Sequence, residues 1–319
     1  MTVSDPRRRR RPAFATAVAA VMLAAVAGCA GGPSQQAAGD SPGAVAAGTT
    51  PVATASPLPA PASLVASPAT SPSASKPSAK STKTKTTTTS SGTTSSGQFK
   101  LLAVGAKLPS GTQCATAVRA VRIPENKAVN ATANRTVGAK VPGASYPLTR
   151  VDGNFTGTTE QILRWAACKW GIDENMVEAQ AAIESWWRMD NKGDWGTDAS
   201  RCPANHGPGM DGKPGTCPES YGMLQVRYPY NQKAFPAAER STAMNADFGY
   251  AVWRDCYEGK MTWLNTVERG SRYKAGDAWG CMGVWFSGRW HNAGAEGYIA
   301  RVKDYMAQRI WETPNFQQP

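Results

Sequence analysis

A chain of 319 residues with a formal net charge of +12 has the length of two domains, but a long stretch without aromatic residues restricts the foldable part to about two thirds. Arg7 to Arg11, offset by Asp5, and Lys76, Lys80, Lys83 and Lys85, offset by Asp40, account for +7, so +5 falls on residues 98–319. That modest excess suits an anionic polymer or surface, and because Arg and Lys nowhere cluster with aromatic residues it argues against nucleic acid as a partner.

Residues 1–28 read as an export signal, with five arginines before the apolar run from Ala13 to Ala27. The run is short for a bilayer span. Val26-Ala27-Gly28-Cys29 resembles the lipobox of bacterial lipoproteins, which makes Cys29 the expected lipidation site; an ordinary cleaved signal with an incidental cysteine is the alternative. Residues 29–97 are almost entirely Ala, Ser, Thr, Pro and Gly, a composition that cannot offset the entropy of ordering and predicts a disordered tether. Residues 98–150 carry Pro109, Pro124, Pro142 and Pro147 with little periodicity and predict an irregular collar tied down by Cys114. The sequons at Asn130, Asn134 and Asn154 carry no weight in a bacterial lipoprotein.

Residues 151–319 predict a mostly α domain. Thr158-Thr159-Glu160-Gln161 is a capping-box pattern opening a helix that Gly171 stops after Trp170. Asp173 caps the next helix, in which Val177, Gln180, Ala181, Glu184 and Trp187 fall on one face and Glu174, Glu178 and Ser185 on the opposite, wetter side. A glutamate on an apolar stripe loses hydration as an anion, so the pKa of Glu184 is expected to rise into the range of a general acid. The plainer alternative is a glutamate at the edge of the stripe, paired with an arginine.

A Gly- and Asp-rich loop is expected from Asp190 to Pro218. Asp190, Asp194 and Asp198 resemble a calcium loop only superficially: Lys192 holds a ligand position, the sixth-place glycine is missing and no closing glutamate is in register. Short strands are expected near Tyr221 to Val226. Ser241 caps a further helix, a shorter one is expected over Thr262 to Glu268, Asp277 starts another, and the last runs from about Gly294 to Ile310. With Cys29 set aside, six cysteines remain, an even set that fits three disulfides in an oxidising compartment. Cys202 with Cys217, Cys256 with Cys281 and Cys114 with Cys168 is the expected pairing. The absence of a C-x-x-C pair, with His206 and His291 apart from any second ligand, argues against a metal site, and no cofactor is implied.

Three short motifs carry a resemblance over residues 158–310. Glu184-Ser185 resembles the catalytic Glu-Ser of the soluble lytic transglycosylases of the lysozyme-like superfamily. Gly222-Met223-Leu224-Gln225-Val226 is similar to their Gly-Leu-Met-Gln-Val with the middle residues exchanged. Val284-Trp285-Phe286-Ser287-Gly288 stands where their Ala-Tyr-Asn-Ala-Gly would, followed by Gly297-Tyr298-Ile299-Ala300-Arg301-Val302 for the closing helix. Trp285-Phe286 in place of Tyr-Asn and a longer interval between Glu184 and Gln225 are departures; similar long-loop, Trp-rich sequences occur among secreted actinobacterial proteins.

The resemblance implies a lysozyme-like helical domain that cleaves the glycosidic bond between N-acetylmuramic acid and N-acetylglucosamine in peptidoglycan, with Glu184 as the single acid and base. Ser185, Gln225, Tyr221, Trp187, Trp285 and Phe286 are the candidate substrate contacts, with Trp186 and Tyr228 as further cleft walls, although most tryptophans belong to the core. Gln225 equally suits a strand-end hydrogen bond. Asp194 and Asp198 are the candidates to activate water, the role a goose-type muramidase would need, and an inactive glycan-binding lipoprotein is the non-enzymatic alternative. The protein is expected to be a monomer, anchored by lipid to the outer face of the cell membrane and facing the wall.

Overall fold

The computed structural model describes residues 99–316 except Asn126; the predicted export signal, Cys29 and the predicted tether lie outside the described residues. The described part is mostly helical with one small sheet. It contains no helix long and apolar enough to cross a membrane and no group of side chains set to hold a metal ion.

Helices α2 (Thr159–Trp170) and α3 (Glu174–Ser185) form where the sequence predicts them. Thr158 and Gln161 exchange hydrogen bonds with each other's backbone N–H, and Gly171 ends α2 at φ 61°. Asp173 caps α3 by accepting from the Asn175 N–H. A short helix α1 (Gly111–Ala117) interrupts the predicted collar. The collar is fastened to α2 by the Cys114–Cys168 disulfide and by the Trp165 indole, which donates to the Gly111 carbonyl at 3.0 Å.

One face of α3 differs from the prediction. Glu174 and Glu178 are fully buried rather than wet, because Arg122 from the collar and Arg164 from α2 reach them. Arg122 also donates to Glu160 at 2.8 Å, so three carboxylates share two guanidinium groups. Burial and the neighbouring Glu174 push the Glu178 carboxyl well up, which favours its neutral form. Trp187 does not extend the stripe either: α3 stops at Ser185, and Trp186 and Trp187 both turn left-handed at φ 58°.

The loop after α3 contains a strand the sequence analysis missed. β1 (Lys192–Gly196) pairs antiparallel with β2 (Cys217–Tyr221), which pairs antiparallel with β3 (Val226–Arg227), giving the order β1-β2-β3. Two glycines in five residues hide the alternation. A β-carbon at Gly193 would meet Oε1 of Gln225, so a side chain there would displace the Gln225 amide. The Cys202–Cys217 disulfide closes the loop between β1 and β2.

After the short helices α4 (Tyr228–Asn231) and α5 (Ala237–Arg240), α6 (Thr242–Tyr257) follows, capped by Ser241 as predicted. The Cys256–Cys281 disulfide joins α6 to α7 (Ala278–Ser287), and α8 (Ala293–Gln308) completes the bundle. All three disulfides follow the predicted pairing. The helix expected over Thr262 to Glu268 does not form. The Glu268 carboxylate accepts instead from Arg289 and the His291 N–H, the Trp290 indole donates to the Thr266 carbonyl at 3.3 Å, and the segment ends in an isolated bridge to Ser271. These contacts outweigh the weak helix propensity of Asn265, Thr266 and Val267.

The ionic cluster on α3 predicts a pH-dependent stability loss. Arg122→Met leaves buried carboxylates without their main cation and should cost about 2–4 kcal/mol near pH 7.5. Arg122 opposes the upward push that burial gives the Glu178 carboxyl, so without it that carboxyl is protonated more readily in the folded protein than in the unfolded chain and the loss should shrink near pH 5. Denaturant unfolding of both proteins at the two pH values measures the difference; an equal loss at both would reject the account.

Candidate active site

Glu184 lies in the last turn of α3, partly exposed. Its Oε1 accepts a 2.5 Å hydrogen bond from the hydroxyl of Tyr298, a buried residue on α8. Burial pushes the carboxyl from its ordinary 4.5 to about 7; the Tyr298 hydroxyl and the charge of Arg301 oppose that rise, and the charge of Asp194 adds to it. Behind the pair, Gln180 stands one turn before Glu184, is buried, and reaches Tyr298. Tyr250 on α6 donates to the Val177 carbonyl at 2.9 Å. The result is a carboxyl held by one donor, with no cation among the described residues in ion-pair contact and part of its surface open to solvent.

The turn between β2 and β3 is held against this helix end from three sides. Ser185 Oγ donates to the Met223 carbonyl at 2.8 Å. Asn245 on α6 accepts from the Leu224 N–H at 2.8 Å and donates to the Tyr221 carbonyl at 3.0 Å. The Trp285 indole on α7 donates to the Leu224 carbonyl at 3.0 Å. Gly222, at φ 78°, permits this approach, because a β-carbon there would meet Met189 and Asn245. Gln225 ends the turn at φ 52°, and its amide nitrogen donates to the Gly222 carbonyl at 2.8 Å and the Asn191 carbonyl at 3.2 Å. Asn191 in turn donates to the Glu184 carbonyl at 3.4 Å.

Several candidate substrate contacts therefore have other duties. Ser185 is buried and bonds the β2–β3 turn and the Arg188 N–H. Trp187 is fully buried, with its indole donating to the Glu178 carbonyl at 2.9 Å. Tyr221 is 3% exposed, its hydroxyl donates to the Pro218 carbonyl, and its ring packs between His206 and Phe235. These three belong to the framework, since none can meet a ligand without unpacking. Gln225 spends its donors inside the hairpin, and Trp285 spends its indole N–H on the turn while remaining partly exposed. Trp186 packs on Tyr305 and Phe316, and Tyr228 on Phe235. Phe286 stays 50% exposed and stacks on Tyr298, with ring centroids 4.8 Å apart and planes 4° apart.

The two aspartates part company. Asp194 lies on β1 at φ 52°, half-exposed, accepting from Ser220 and 3.7 Å from the Arg227 guanidinium. It is an exposed strand residue whose charge reaches Glu184, so the expected exposure holds and only the expected loop is replaced by a strand. Asp198 caps a short 3-10 turn through Ser200 and is exposed. Tyr298 and Asn245 carry roles that their helical periodicity conceals, because a buried tyrosine or asparagine reads from sequence as core. No family model, no curated protein and no solved structure matches this chain.

The raised pKa of Glu184 predicts a stability signature. Its carboxyl binds a proton more tightly in the folded protein than in the unfolded chain, so its stabilising contribution is full below pH 4.5 and is lost as pH rises through about 7. Glu184→Gln keeps an acceptor for Tyr298 and carries no charge. The variant should match wild type near pH 4 and exceed it near pH 8 by on the order of 1–3 kcal/mol. Urea denaturation across that range checks it, and a pH-independent difference would show that Glu184 titrates normally.

Proposed function

We propose that this protein is a peptidoglycan glycosidase of the lytic transglycosylase type with a lysozyme-like fold. The observation that carries the reading is Glu184: a partly exposed carboxyl raised to about 7, fixed at one oxygen by Tyr298 and free of any paired cation. Such a group is protonated often enough near neutrality to act as an acid and becomes a competent base once it has given up the proton. In the proposed reaction Glu184 protonates the glycosidic oxygen as the bond to the anomeric carbon of N-acetylmuramic acid breaks. The 6-hydroxyl of the same sugar then bonds to that carbon and returns its proton to the Glu184 carboxylate. The product is a 1,6-anhydro end, with no water consumed. Phe286 offers a flat apolar face beside the acid for a sugar ring.

Asp194 favours a second reading. A carboxylate held on a strand beside the acid suits a base that activates water from the opposite face, as in an inverting muramidase, and its left-handed backbone is a conformation more frequent at functional sites. Hydrolysis would leave reducing N-acetylmuramic acid.

Mass spectrometry of fragments released from purified sacculi separates the two. Glu184→Gln should lower release by roughly 10²–10⁴-fold while glycan binding persists. Anhydro ends, with Asp194→Asn nearly as active as wild type, are the expected result. Reducing ends lost on Asp194→Asn would install the hydrolytic mechanism, and no release by wild type would leave glycan binding as the function.

The lipobox-like Val26-Ala27-Gly28-Cys29 supports a lipoprotein on the outer face of the bacterial cell membrane, a monomer with the wall within reach of its tether. Cys29→Ala should move the protein from the membrane fraction to the medium or leave its signal uncleaved. An unchanged membrane fraction, with no lipid adduct on the wild-type protein, would reject the anchor.

A further inference from the structure

Arg301 stands one turn after Tyr298 on α8 and so shares its face of the helix. Its guanidinium lies 5.7 Å from the Phe286 ring centroid and 5.8 Å from that of Tyr298, against the edge of their stack. The side chain is exposed, and no carboxylate among the described residues comes within ion-pair distance of it. The neighbouring arginines differ: Arg227 is paired with Glu219 and Arg188 with Asp190. Arg301 is nonetheless close enough to Glu184 for its charge to act on that carboxyl.

An arginine at this place has a stem and a head that two aromatic rings restrict, and donors that no protein acid takes up. The planar fork of donors matches a carboxylate, and a guanidinium held beside the Phe286 and Tyr298 rings keeps those donors free to take one up. Asp194 supplies the opposite charge at the same site from β1. A neutral glycan gains little from either charge. A glycan bearing a carboxylate is drawn to the α8 wall by Arg301, whereas on β1 Asp194 already has Arg227 3.7 Å away, so the α8 side is where an acidic group is held.

We infer that Arg301 reads a carboxylate on the glycan beside the bond to be broken, so that the site selects acidic glycans and discriminates against neutral ones of the same length. The inference rests on the glycosidase reading of Glu184 for its site, but its test does not depend on turnover. The carboxylate has two possible sources in a muramyl glycan, the lactyl group of strands stripped of peptide and the acidic residues of attached peptides.

The experiment measures equilibrium binding by the whole protein carrying Glu184→Gln, with three probes of matched length: peptide-free muramyl strands, peptide-bearing strands, and neutral N-acetylglucosamine oligomers. At low salt, one acidic probe should bind roughly tenfold more tightly than the neutral one, the scale of one charge-assisted hydrogen bond. The stronger acidic probe identifies the source. Adding Arg301→Gln should bring acidic and neutral affinities together without changing the neutral one, Arg301→Lys should retain part of the preference, and added salt should erode it. Thermal unfolding of each variant confirms that the fold is retained. Equal affinities in the parent, or a preference that survives Arg301→Gln, would overturn the inference. Absence of cleavage by wild type with the preference intact would instead remove the glycosidase reading and leave Arg301 as the anion-reading residue of a binding site.

Discussion

The hydrogen bond from Tyr298 to Glu184 is the contact on which the site depends, because it joins the end of α3 to a helix more than a hundred residues away in the chain. Helix α8 packs directly on α3 and also lies tightly against α7, where Gly283 permits the approach: a β-carbon there would meet the Trp290 carbonyl and the Ala295 side chain, each at 2.7 Å. The Cys256–Cys281 disulfide then fixes α7 on α6, and α6 holds α3 through Tyr250. The framework closes on itself, so the carboxyl and its donor are placed by four helices and a covalent link and not by a loop.

Helix α3 also shows how environment divides like residues. Glu174 and Glu178 are buried with arginines at hand: Arg122 and Arg164 meet Glu174, while Glu178 shares only Arg122 and is pushed toward its neutral form. Glu184, two turns further on, meets a phenol where its neighbours meet guanidinium groups. Burial raises Glu178 and Glu184 alike, but Glu178 is enclosed, whereas Glu184 faces solvent and can exchange its proton with a ligand. The difference lies in what the rest of the chain brings to each carboxyl.

Caps and cysteines were legible in the sequence because their signals are local: Thr158, Asp173, Ser241 and Asp277 each accept the hydrogen bond their spacing predicts. Glu184 was legible because a charge on an apolar stripe needs a reason. The wet side of α3 was misread because Arg122 lies 52 residues from Glu174, and no helical pattern reports a partner from an irregular segment. Trp187, Tyr221 and Ser185 resemble ligand contacts by residue type and proximity to Glu184, yet burial assigns them to packing, which a one-dimensional pattern does not resolve. β1 escaped notice because Lys, Gly and Asp carry little strand preference, and its register comes from β2. Tyr298 stands in the sequence only as part of the closing-helix segment Gly297 to Val302, since its hydroxyl acquires a role only when α8 meets α3.

The first described residues are bound to the far end of α3: Phe99 donates its N–H to the Glu174 carboxylate, and its carbonyl accepts from the Glu174 N–H. Glu184 is ten residues along the same helix, which at 1.5 Å per residue separates the two by about 15 Å along the helix axis. Whatever pulls on the chain before Phe99 therefore loads the amino end of α3 and its arginine cluster, while the acid sits at the opposite pole. Tension from that side is taken up by the collar, by Leu102 bonded to Gly171 and by Arg254 gripping the carbonyls of Leu102 and Ala103. The attachment of the preceding chain and the Glu184 carboxyl thus lie at opposite ends of one helix, so that strain at the first need not distort the second.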